Sequence, residues 1–403
     1  MPKPKVLILT GAVPYPLVTG AKIRTFNLMK ALAAECDIEL LTVITSPADE
    51  ALVCPIEEAG IRCHLLQHKR LSSRMGKGID AALSFISSEP YLTRHYTFPA
   101  YRRRLDCLLA EKSYDVIHCD SISMSDNLTG LDKKSLILTE HNIEQMIWAG
   151  YVEHARGALT RIYRQNQYHK VKRLEDNLNK FYDHVVTVSE ADKRKLARCF
   201  PAERIVVVDN GVDPATYAAD RPADSRSGVV FTGSLDWHPN IDGLTYFARE
   251  IFQPLRRHHP EGAITIVGRH PGAALKNLLS GLPGVGLRAD VPEIQPFLRA
   301  ARVMIVPLRI GGGSRLKILE AMASGLPVVS TSKGAEGLAV VDGESIIIRD
   351  DPVAFAAAVA ELLENDDLWN RLARRGRELV QARYSWRQVA RPLAELWRKV
   401  ADA

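Results

Sequence analysis

The sequence predicts an α/β protein of two doubly wound domains, each with a parallel sheet covered by helices on both faces. Short apolar runs of strand length alternate with helix-like segments or loops rich in Gly, Pro and Asp, as is typical of parallel sheets. This pattern restarts after a joint near residues 200–215. The length of 403 residues also suits two domains of ordinary size better than one.

Five apolar runs predict the sheet of the first domain. They lie at residues 6–9, 38–43, 116–118, 136–138 and 185–188. The first run follows the opening five residues directly and is short, so we expect a strand there and not a signal peptide. No apolar run of the chain reaches the roughly 18 residues that a membrane-spanning helix needs.

The second sheet is predicted from the runs beyond Arg204. A run at 205–208 leads into a polar turn, and the polar stretch 220–227 separates it from the next strand. The later strands are expected at residues 229–231, 263–267, 303–306, 327–330 and 345–348.

Two helical segments flank the joint and the end of the chain. Residues 156–182 carry apolar and aromatic side chains at spacings of three and four among many charges, which indicates a partly exposed helix on a domain face. Its basic residues could be a solvated face, or could contact a membrane or phosphate. The pattern of apolar and charged residues at 385–400 predicts a final amphipathic helix.

The charge and cysteine content exclude several classes of protein. The 53 basic residues face 47 acidic ones for a net charge of +6, and they are interleaved, so nucleic-acid binding is not indicated. Weak attraction to an anionic membrane or to phosphorylated ligands stays open. The six cysteines form no Cys-x-x-Cys and no metal spacing with histidine, which indicates reduced core residues of a cytoplasmic protein.

A glycine loop between a buried strand and a helix is the most informative segment. Glycines let a backbone approach a ligand closely, and a helix start presents unpaired N–H groups with partial positive charge. The loop lacks the Gly-Lys-Ser/Thr of a P-loop, and Gly-x-Gly-x-x-Gly fails because its last position is Leu316. We therefore expect a different phosphate cradle, made by Gly311, Gly312, Gly313, Ser314 and the amide of Leu316.

Several separated segments together resemble the retaining glycosyltransferases of family 4. In chain order they are Val6-Leu7-Ile8-Leu9 with Thr19-Gly20-Ala21, Val185-Val186-Thr187-Val188-Ser189, Asn210-Gly211-Val212-Asp213, Phe231-Thr232-Gly233, Ile266-Val267-Gly268 and the glycine loop. The resemblance covers nearly the whole chain. It implies the GT-B architecture of two facing Rossmann-like domains: an acceptor domain over 1–204, a nucleotide-sugar domain over 205–383, and a helix over 384–403 that crosses back to the first domain.

Glu320 looks like the second glutamate of the family's Glu-x7-Glu motif. Its place on the helix after the glycine loop would let the carboxylate accept hydrogen bonds from vicinal ribose hydroxyls. The alternative is an exposed glutamate that only stabilises the helix start.

The sequence departs from the family pattern at two places. Eight residues before Glu320 (320 − 8 = 312), the motif's first glutamate is replaced by Gly312. The arginine and lysine expected after the strand ending at Gly233 are also missing. Arg315 and Lys317 are the candidates to pair the diphosphate instead. On a regular helix they would point about 200° apart, so both reach one phosphate only if the first turn is irregular; otherwise they are surface charges.

In the first domain, Gly20 is expected to let a loop approach the β-phosphate, with Lys22 and Arg24 behind it. The alternative is a plain turn at a helix entry.

His141 resembles the family histidine near the acceptor hydroxyl and the donor sugar. It follows the strand at 136–138, and the carboxyl ends of parallel strands are where such sheets present ligand groups. A histidine with only a structural role is the alternative. His118 and Asp120, which end another strand, are weaker candidates.

The resemblance implies a retaining hexosyltransferase that uses a UDP- or GDP-linked sugar and a hydroxyl of a glycan or lipid-linked glycan. The leaving diphosphate would accept the acceptor's proton, with its charge stabilised by amides and by Arg315 or Lys317. No Asp-x-Asp metal site is evident, and no metal or cofactor is expected. Two alternatives stay open: a nucleotide-sugar epimerase, which would need further carboxylates, and a GT-B pseudoenzyme that senses sugar nucleotides or assists assembly, which Gly312 allows.

A cluster of arginines and aromatic residues predicts weak, salt-sensitive contact with anionic membrane. The residues are Arg94, Arg102, Arg103, Arg104, Tyr91, Tyr96, Phe98 and Tyr101. The expected location is then cytoplasmic, peripheral to the inner face of the membrane. The alternative is a solvated helix beside packed aromatic rings.

Overall fold

The computed structural model describes residues 2–132, 135–153, 155, 157–217, 225–311 and 315–402. The chain divides into two compact units, the first formed by Met1–Asp209 with Val389–Ala403 and the second by Asn210–Gln388. Each unit contains one parallel sheet with helices, which confirms the predicted fold class.

The first unit has a seven-stranded sheet in the order β3-β2-β1-β4-β5-β6-β7, with every described strand pair parallel. Its strands are β1 Lys5–Leu9, β2 Asp37–Ile44, β3 Arg62–Gln67, β4 Val116–Cys119, β5 Leu136–Glu140, β6 His184–Thr187 and β7 Ile205–Val207. The central strands are buried along their whole length, whereas β3 is only partly buried.

The helices that precede the joint cover this sheet. They are α1 Gly20–Leu32, α2 Cys54–Glu58, α3 Arg74–Ile86, α4 Tyr91–Arg94, α5 Pro99–Glu111, α6 Glu144–Glu153, α7 Ala158–Glu175 and α8 Glu190–Leu196. Local sequence explains where several begin. The Thr19 side chain caps α1 by accepting from the Lys22 amide, and α5 starts with a proline, whose missing N–H costs nothing at that position.

The second unit has a six-stranded parallel sheet in the order β10-β9-β8-β11-β12-β13. Its strands are β8 Val229–Thr232, β9 Ile264–Gly268, β10 Val285–Ala289, β11 Val303–Val306, β12 Val328–Ser330 and β13 Ile347–Ile348. The helices from there to the end of the chain are α9 Pro214–Tyr217, α10 His238–Tyr246, α11 Phe252–His258, α12 Ala273–Ser280, α13 Gln295–Ala300, α14 Leu316–Ala323, α15 Ser332–Ala335, α16 Pro352–Glu364, α17 Asp366–Leu379, α18 Trp386–Val389 and α19 Arg391–Ala401.

The boundary between the units lies after Asp209 and not after Arg204. The run that was expected to open the second sheet is β7, which pairs in parallel with β6 through Val185 and Ile205. Because β7 completes the first sheet, the chain leaves the first unit only after this strand.

Helix α7 is shorter than the predicted helix over 156–182. It ends at Glu175 and is followed by a separate 3-10 turn at Leu178–Lys180, while Arg156 lies outside the described residues.

The C-terminal helix belongs to the first unit, as predicted. Trp397 of α19 is buried, and its indole Nε1 donates to His118 Nδ1 at 3.0 Å. The final predicted helix is interrupted between α18 and α19. The buried indole therefore anchors the end of the chain to β4.

Candidate functional site

Both sheets reverse their strand order at one point, and the predicted site residues follow the strands at these points. In the first sheet the reversal falls between β1 and β4, and in the second between β8 and β11. Open α/β sheets bind ligands in the crevice outside the carboxyl ends of strands at such a switch point.

Gly233 follows β8 at the switch point of the second sheet. Its φ of +154° is one that side-chain-bearing residues rarely adopt, and a Cβ there would lie 2.7 Å from Lys317 Nζ and 2.8 Å from Asn240 Nδ2. Only glycine leaves room for these groups. The turn after β8 and the start of α14 are thus brought together, as the sequence-based site requires.

The Lys317 ammonium occupies this turn. Nζ lies 4.1 Å from the centroid of the buried Phe231 ring and donates to Asn240 Oδ1 at 2.9 Å, so it is held by a cation–π contact and a hydrogen bond. Burial, followed by the positive charge of Arg315, lowers the pKa of Lys317 to about 7, although Glu320 opposes the shift. An anion bound here would restore the charged form.

Arg315 precedes α14 and is not part of the helix. Its φ of −90° and ψ of 96° are extended, and its side chain is mostly buried. The separation of about 200° expected for two residues of one helix therefore does not apply to Arg315 and Lys317. Arg315 directly precedes α14 and Lys317 is its second residue, and the Arg315 charge contributes to the lowered pKa of Lys317.

Glu320 lies one turn further along α14, half-buried, and pairs with a tyrosine. Tyr217 of α9 donates its hydroxyl proton to Glu320 Oε1 at 3.0 Å. Burial raises the pKa of the Glu320 carboxyl, while the Tyr217 hydrogen bond and the Lys317 charge oppose this. The carboxylate is thus a fixed hydrogen-bond acceptor beside the basic pair.

The glycine loop is described only at its edges. Gly311 has a φ of +107°, and a Cβ there would approach the Arg315 guanidinium to 3.0 Å, so the loop needs glycine at this point. Leu316 is the first residue of α14. The predicted cradle residues Gly312, Gly313 and Ser314 lie outside the described residues, and their role stays a prediction.

In the first unit, His141 and Asp120 meet beyond the ends of β5 and β4. His141 Nε2 is 3.4 Å from Asp120 Oδ2, and the same carboxylate oxygen accepts from Thr25 Oγ1 of α1 at 2.7 Å. Both side chains of the pair are partly accessible, at 16% and 18%. His141, Asp120 and Thr25 are thus grouped next to the switch point, with the imidazole partly accessible.

Gly20 is the exposed first residue of α1, the helix that carries Thr25. The two basic residues expected behind it differ in their surroundings. Lys22 Nζ donates to the Tyr15 carbonyl at 3.2 Å. Arg24 is buried, donates to the Asp209 carbonyl at 2.8 Å, and has its pKa lowered to about 10 by that burial. Arg24 therefore supports the structure of the first unit.

His118 has a structural role, contrary to its place among the weaker site candidates. It is buried, and burial lowers its pKa to about 4, so the ring is neutral. Because Nδ1 accepts from Trp397, Nε2 carries the proton and donates to Thr139 Oγ1 at 2.7 Å. Both ring nitrogens are used within the first unit.

The predicted arginine and aromatic surface is wrong in its aromatic part. Phe98 and Tyr101 are buried in the core, and the Tyr101 hydroxyl donates to the Leu41 carbonyl at 3.1 Å. Arg102 Nε pairs with Asp106 at 3.0 Å, and Arg104 Nη2 lies 3.3 Å from His64 Nδ1. These two rings therefore belong to the packed core, whereas Tyr91 and Tyr96 are half-buried.

Sequence reasoning missed three residues that the fold brings to these sites. Asn240 and Tyr217 contact Lys317 and Glu320, and Thr25 contacts Asp120. Thr25 had a sequence signal, since it lies one turn after Gly20 on the same helix. The other two lie far along the chain from their partners and had none.

The described ranges contain neither a metal-binding cluster nor a membrane-spanning helix. Within these ranges no group of three or more His, Cys, Asp or Glu side chains is arranged to hold a metal ion. In the same part of the chain no helix combines the length and the apolar character needed to cross a membrane.

Two family models match the chain in the order of the two units. The model described as "Glycosyltransferase Family 4" matches residues 18–216, and the one described as "Glycosyl transferases group 1" matches residues 226–365. The chain belongs to the family 4 glycosyltransferases. It is therefore an enzyme that transfers sugar.

Relatives of this glycosyltransferase span its whole length. An uncharacterized 44.6 kDa protein in the cps region of Klebsiella pneumoniae is 24% identical over 96% of this chain and 97% of its own. The O-antigen chain mannosyltransferase B of Escherichia coli is 25% identical over 95% and 96%. The crystal structure of Anabaena HepE in complex with UDP-glucose superposes with a TM-score of 0.69 at 15% identity, covering 98% of this chain and 99% of that one, which supports the GT-B fold.

Removing the Glu320 carboxylate is expected to weaken nucleotide binding at least several-fold. A hydrogen bond to a charged group contributes about 1.5–3 kcal/mol, and the ribose is common to nucleotide and nucleoside, so Glu320→Ala should weaken both. Calorimetry with UDP, GDP and their nucleosides measures this. Tyr217→Phe is the matched control, because it keeps the carboxylate and should bind nucleotide much more tightly than Glu320→Ala. Unchanged affinity in Glu320→Ala would remove Glu320 from the site.

The pKa of Lys317 predicts that donor binding by the glycosyltransferase weakens as pH rises. Without ligand the ammonium loses its proton near pH 7, whereas a bound diphosphate would raise that pKa. Below about pH 7 the Lys317 side chain is already protonated, so binding requires no proton uptake. Above about pH 7, Lys317 must take up a proton on binding, so affinity should fall by up to about tenfold per pH unit. Calorimetry with UDP-glucose, whose diphosphate diester does not titrate in this range, measures the profile. Lys317→Arg should flatten it, and a flat profile in the unmodified enzyme would contradict the role of Lys317.

Proposed function

We propose that this glycosyltransferase is a retaining hexosyltransferase that uses a UDP- or GDP-linked sugar and transfers the hexose to a hydroxyl of a glycan or lipid-linked glycan. The observation that carries the proposal is the Lys317 ammonium held at the Gly233 turn, beside Arg315 and Glu320. This arrangement offers positive charge for a diphosphate and a carboxylate for a ribose. The UDP-glucose complex of HepE supports a UDP-linked donor, and the mannosyltransferase relative supports a hexose as the transferred sugar.

Different residues of the second unit would bind different parts of the donor. Lys317 would pair with the diphosphate, together with the backbone amides at the start of α14, where the helix dipole favours an anion. Glu320 would accept hydrogen bonds from the ribose hydroxyls, and Tyr217 would fix the carboxylate. Arg315 keeps its charge at any working pH and would add to the field at the diphosphate.

Transfer then depends on positioning and on stabilising the leaving group. The bond between the sugar C1 and the phosphate oxygen breaks, the acceptor oxygen bonds to C1 from the same face, and the acceptor proton passes to the departing diphosphate. Retention of the anomeric configuration follows. Positive groups aimed at the leaving phosphate stabilise the charge that develops on it, so we propose that Lys317 and Arg315 act here without a metal or cofactor.

His141 is proposed to contact the acceptor hydroxyl or the transferred sugar. The approach of Nε2 to Asp120 Oδ2 at 3.4 Å would help to orient the ring. Gly20, exposed at the start of α1, is proposed to leave space for the donor phosphate. We place this reaction in the cytoplasm, in weak contact with the inner face of the membrane, where a lipid-linked acceptor would be found.

A donor panel tests the proposal. The purified enzyme is incubated with UDP- and GDP-linked hexoses and a mixed pool of glycan acceptors, and both nucleoside diphosphate release and the anomeric configuration of the product are measured. We expect acceptor-dependent release with one donor and a retained configuration. Donor binding without turnover would favour a sensor, which the glycine at position 312 keeps as the second candidate. Isomerisation of the donor sugar without acceptor would indicate an epimerase.

A further inference from the structure

Helix α3, Arg74–Ile86, buries its small and polar side and exposes its apolar side. The buried positions are Gly76, Asp80 and Ser84, four residues apart. Asp80 Oδ2 lies 2.8 Å from His95 Nδ1, and Ser84 Oγ lies 3.3 Å from the Tyr163 hydroxyl. A surface helix of a globular protein normally turns its apolar stripe to the core, so α3 is inverted.

The apolar stripe of α3 faces solvent. Met75 is 76% exposed, Ile79 45% and Ile86 79%, and Ala82 is also exposed between the two isoleucines. The spacing of 75, 79, 82 and 86 places all four on one helix face. This face is contiguous over three turns and is left without a partner by the described part of the first unit.

The exposed apolar area continues onto α7. The C-terminal half of α3 packs on α7, since Gln167 Nε2 donates to the Ser84 carbonyl at 3.2 Å and the Phe85 and Tyr163 rings stack with centroids 6.3 Å apart. On α7, Leu159 is 84% exposed and Ile162 is 55% exposed. We name the set Met75, Ile79, Phe85, Ile86, Leu159 and Ile162 the α3–α7 surface.

The charges around the α3–α7 surface are almost all positive. Residues 74–86 and 158–170 contain five basic residues and one acidic residue. The basic residues are Arg74, Lys77, Arg161, Arg164 and Lys170. The acidic one, Asp80, is buried against His95, so it does not face a partner. The surface therefore combines apolar side chains with an excess of basic residues on the same two helices.

We propose that the α3–α7 surface docks the enzyme on an anionic lipid bilayer. A bilayer interface offers hydrocarbon for the apolar stripe and anionic headgroups for the basic residues, as amphipathic interfacial helices require. A symmetric dimer through the same patch would bring like charges of the two copies together, which disfavours a second copy as the occupant. This inference deepens the proposed function by assigning the membrane-contacting surface, and it replaces the cluster around Arg102.

Vesicle co-sedimentation of the full chain tests this. We expect binding to phosphatidylcholine vesicles containing phosphatidylglycerol, weaker binding at high salt, and little binding to phosphatidylcholine alone. Ile79→Ser with Ile86→Ser should lower the partition coefficient at least about tenfold. Arg74→Ser with Lys77→Ser should weaken binding and reduce its salt dependence. Arg102→Ser with Arg103→Ser is the control, because these residues lie on α5 and outside the α3–α7 surface. This variant should bind vesicles like the unmodified enzyme.

Several outcomes would overturn the proposal. One is that the enzyme does not bind anionic vesicles at low salt. Another is that the Ile79→Ser, Ile86→Ser variant binds vesicles as well as the unmodified enzyme does. A third is that the unmodified enzyme is a dimer in solution and this variant is a monomer. Calorimetric binding of UDP or GDP, whichever the unmodified enzyme binds, and the thermal unfolding temperature show that each variant is folded. Since neither sugar donor nor acceptor enters the vesicle experiment, its failure is distinct from a failure of the proposed transfer reaction.

Discussion

Replacing Lys317 by methionine is expected to weaken binding of UDP or GDP by about 10- to 100-fold while leaving uridine or guanosine binding nearly unchanged. Methionine keeps much of the apolar stem over Phe231 but removes the ammonium, and a charge-assisted hydrogen bond contributes about 1.5–3 kcal/mol. Only the diphosphate carries the charge being paired, so the nucleoside serves as the internal reference. Calorimetry with the four ligands measures both effects.

Arg309→Met is the matched control for Lys317→Met. Arg309, like Lys317, lies beyond the end of β11. Its side chain is 50% exposed and pairs with Asp242 at 2.7 Å, so its loss should leave diphosphate affinity unchanged. Arg315→Met tests the other basic residue. A loss confined to Arg315→Met would make Arg315 the diphosphate partner, whereas equal losses for nucleotide and nucleoside, or no loss in either variant, would refute the assignment.

Replacing His141 by alanine is expected to lower sugar transfer by about a hundredfold or more while donor binding persists. A group that contacts the reacting centre typically contributes a factor of about 10² to 10³ to the rate. The second unit, which holds the proposed donor site, contains none of the altered atoms. Initial rates of transfer together with calorimetry of the nucleotide separate the two effects.

Asp120→Asn tests whether the carboxylate orients His141. It keeps a hydrogen-bonding side chain beside Thr25 but removes the carboxylate charge next to the imidazole, so we expect a smaller loss of transfer rate than in His141→Ala, with nucleotide binding unchanged. His258→Ala changes an exposed histidine at the end of α11 and should be fully active. A fully active His141→Ala would give this histidine a structural role only.

Most of the strands that sequence reasoning found are fully buried, although the short outer strands β7 and β13 are only partly buried. Fully apolar runs such as those of β4 and β11 are visible in sequence because both faces of the strand are covered. The two missed strands, β3 and β10, are also outer strands of their sheets and are only partly buried. Their polar residues face solvent, so no continuous apolar run marks them.

The site was predictable where it depends on local geometry and not where it depends on tertiary contacts. A glycine loop before a helix with an early glutamate identified the region of Lys317 and Glu320. The Tyr217 partner of Glu320 lies 103 residues away in sequence, and no local pattern connects them. The sequence left open whether the first turn is irregular enough for Arg315 and Lys317 to reach one phosphate, and the extended backbone of Arg315 is such an irregularity.

A crystal structure of the enzyme soaked with several UDP- and GDP-linked sugars would show whether the second unit binds the donor as proposed. We expect a bound nucleotide at the switch point of the second sheet, with diphosphate oxygens within about 3 Å of Lys317 Nζ and the ribose hydroxyls on the Glu320 carboxylate. A nucleotide whose diphosphate contacts neither Lys317 nor Arg315, or whose ribose is held away from Glu320, would contradict it.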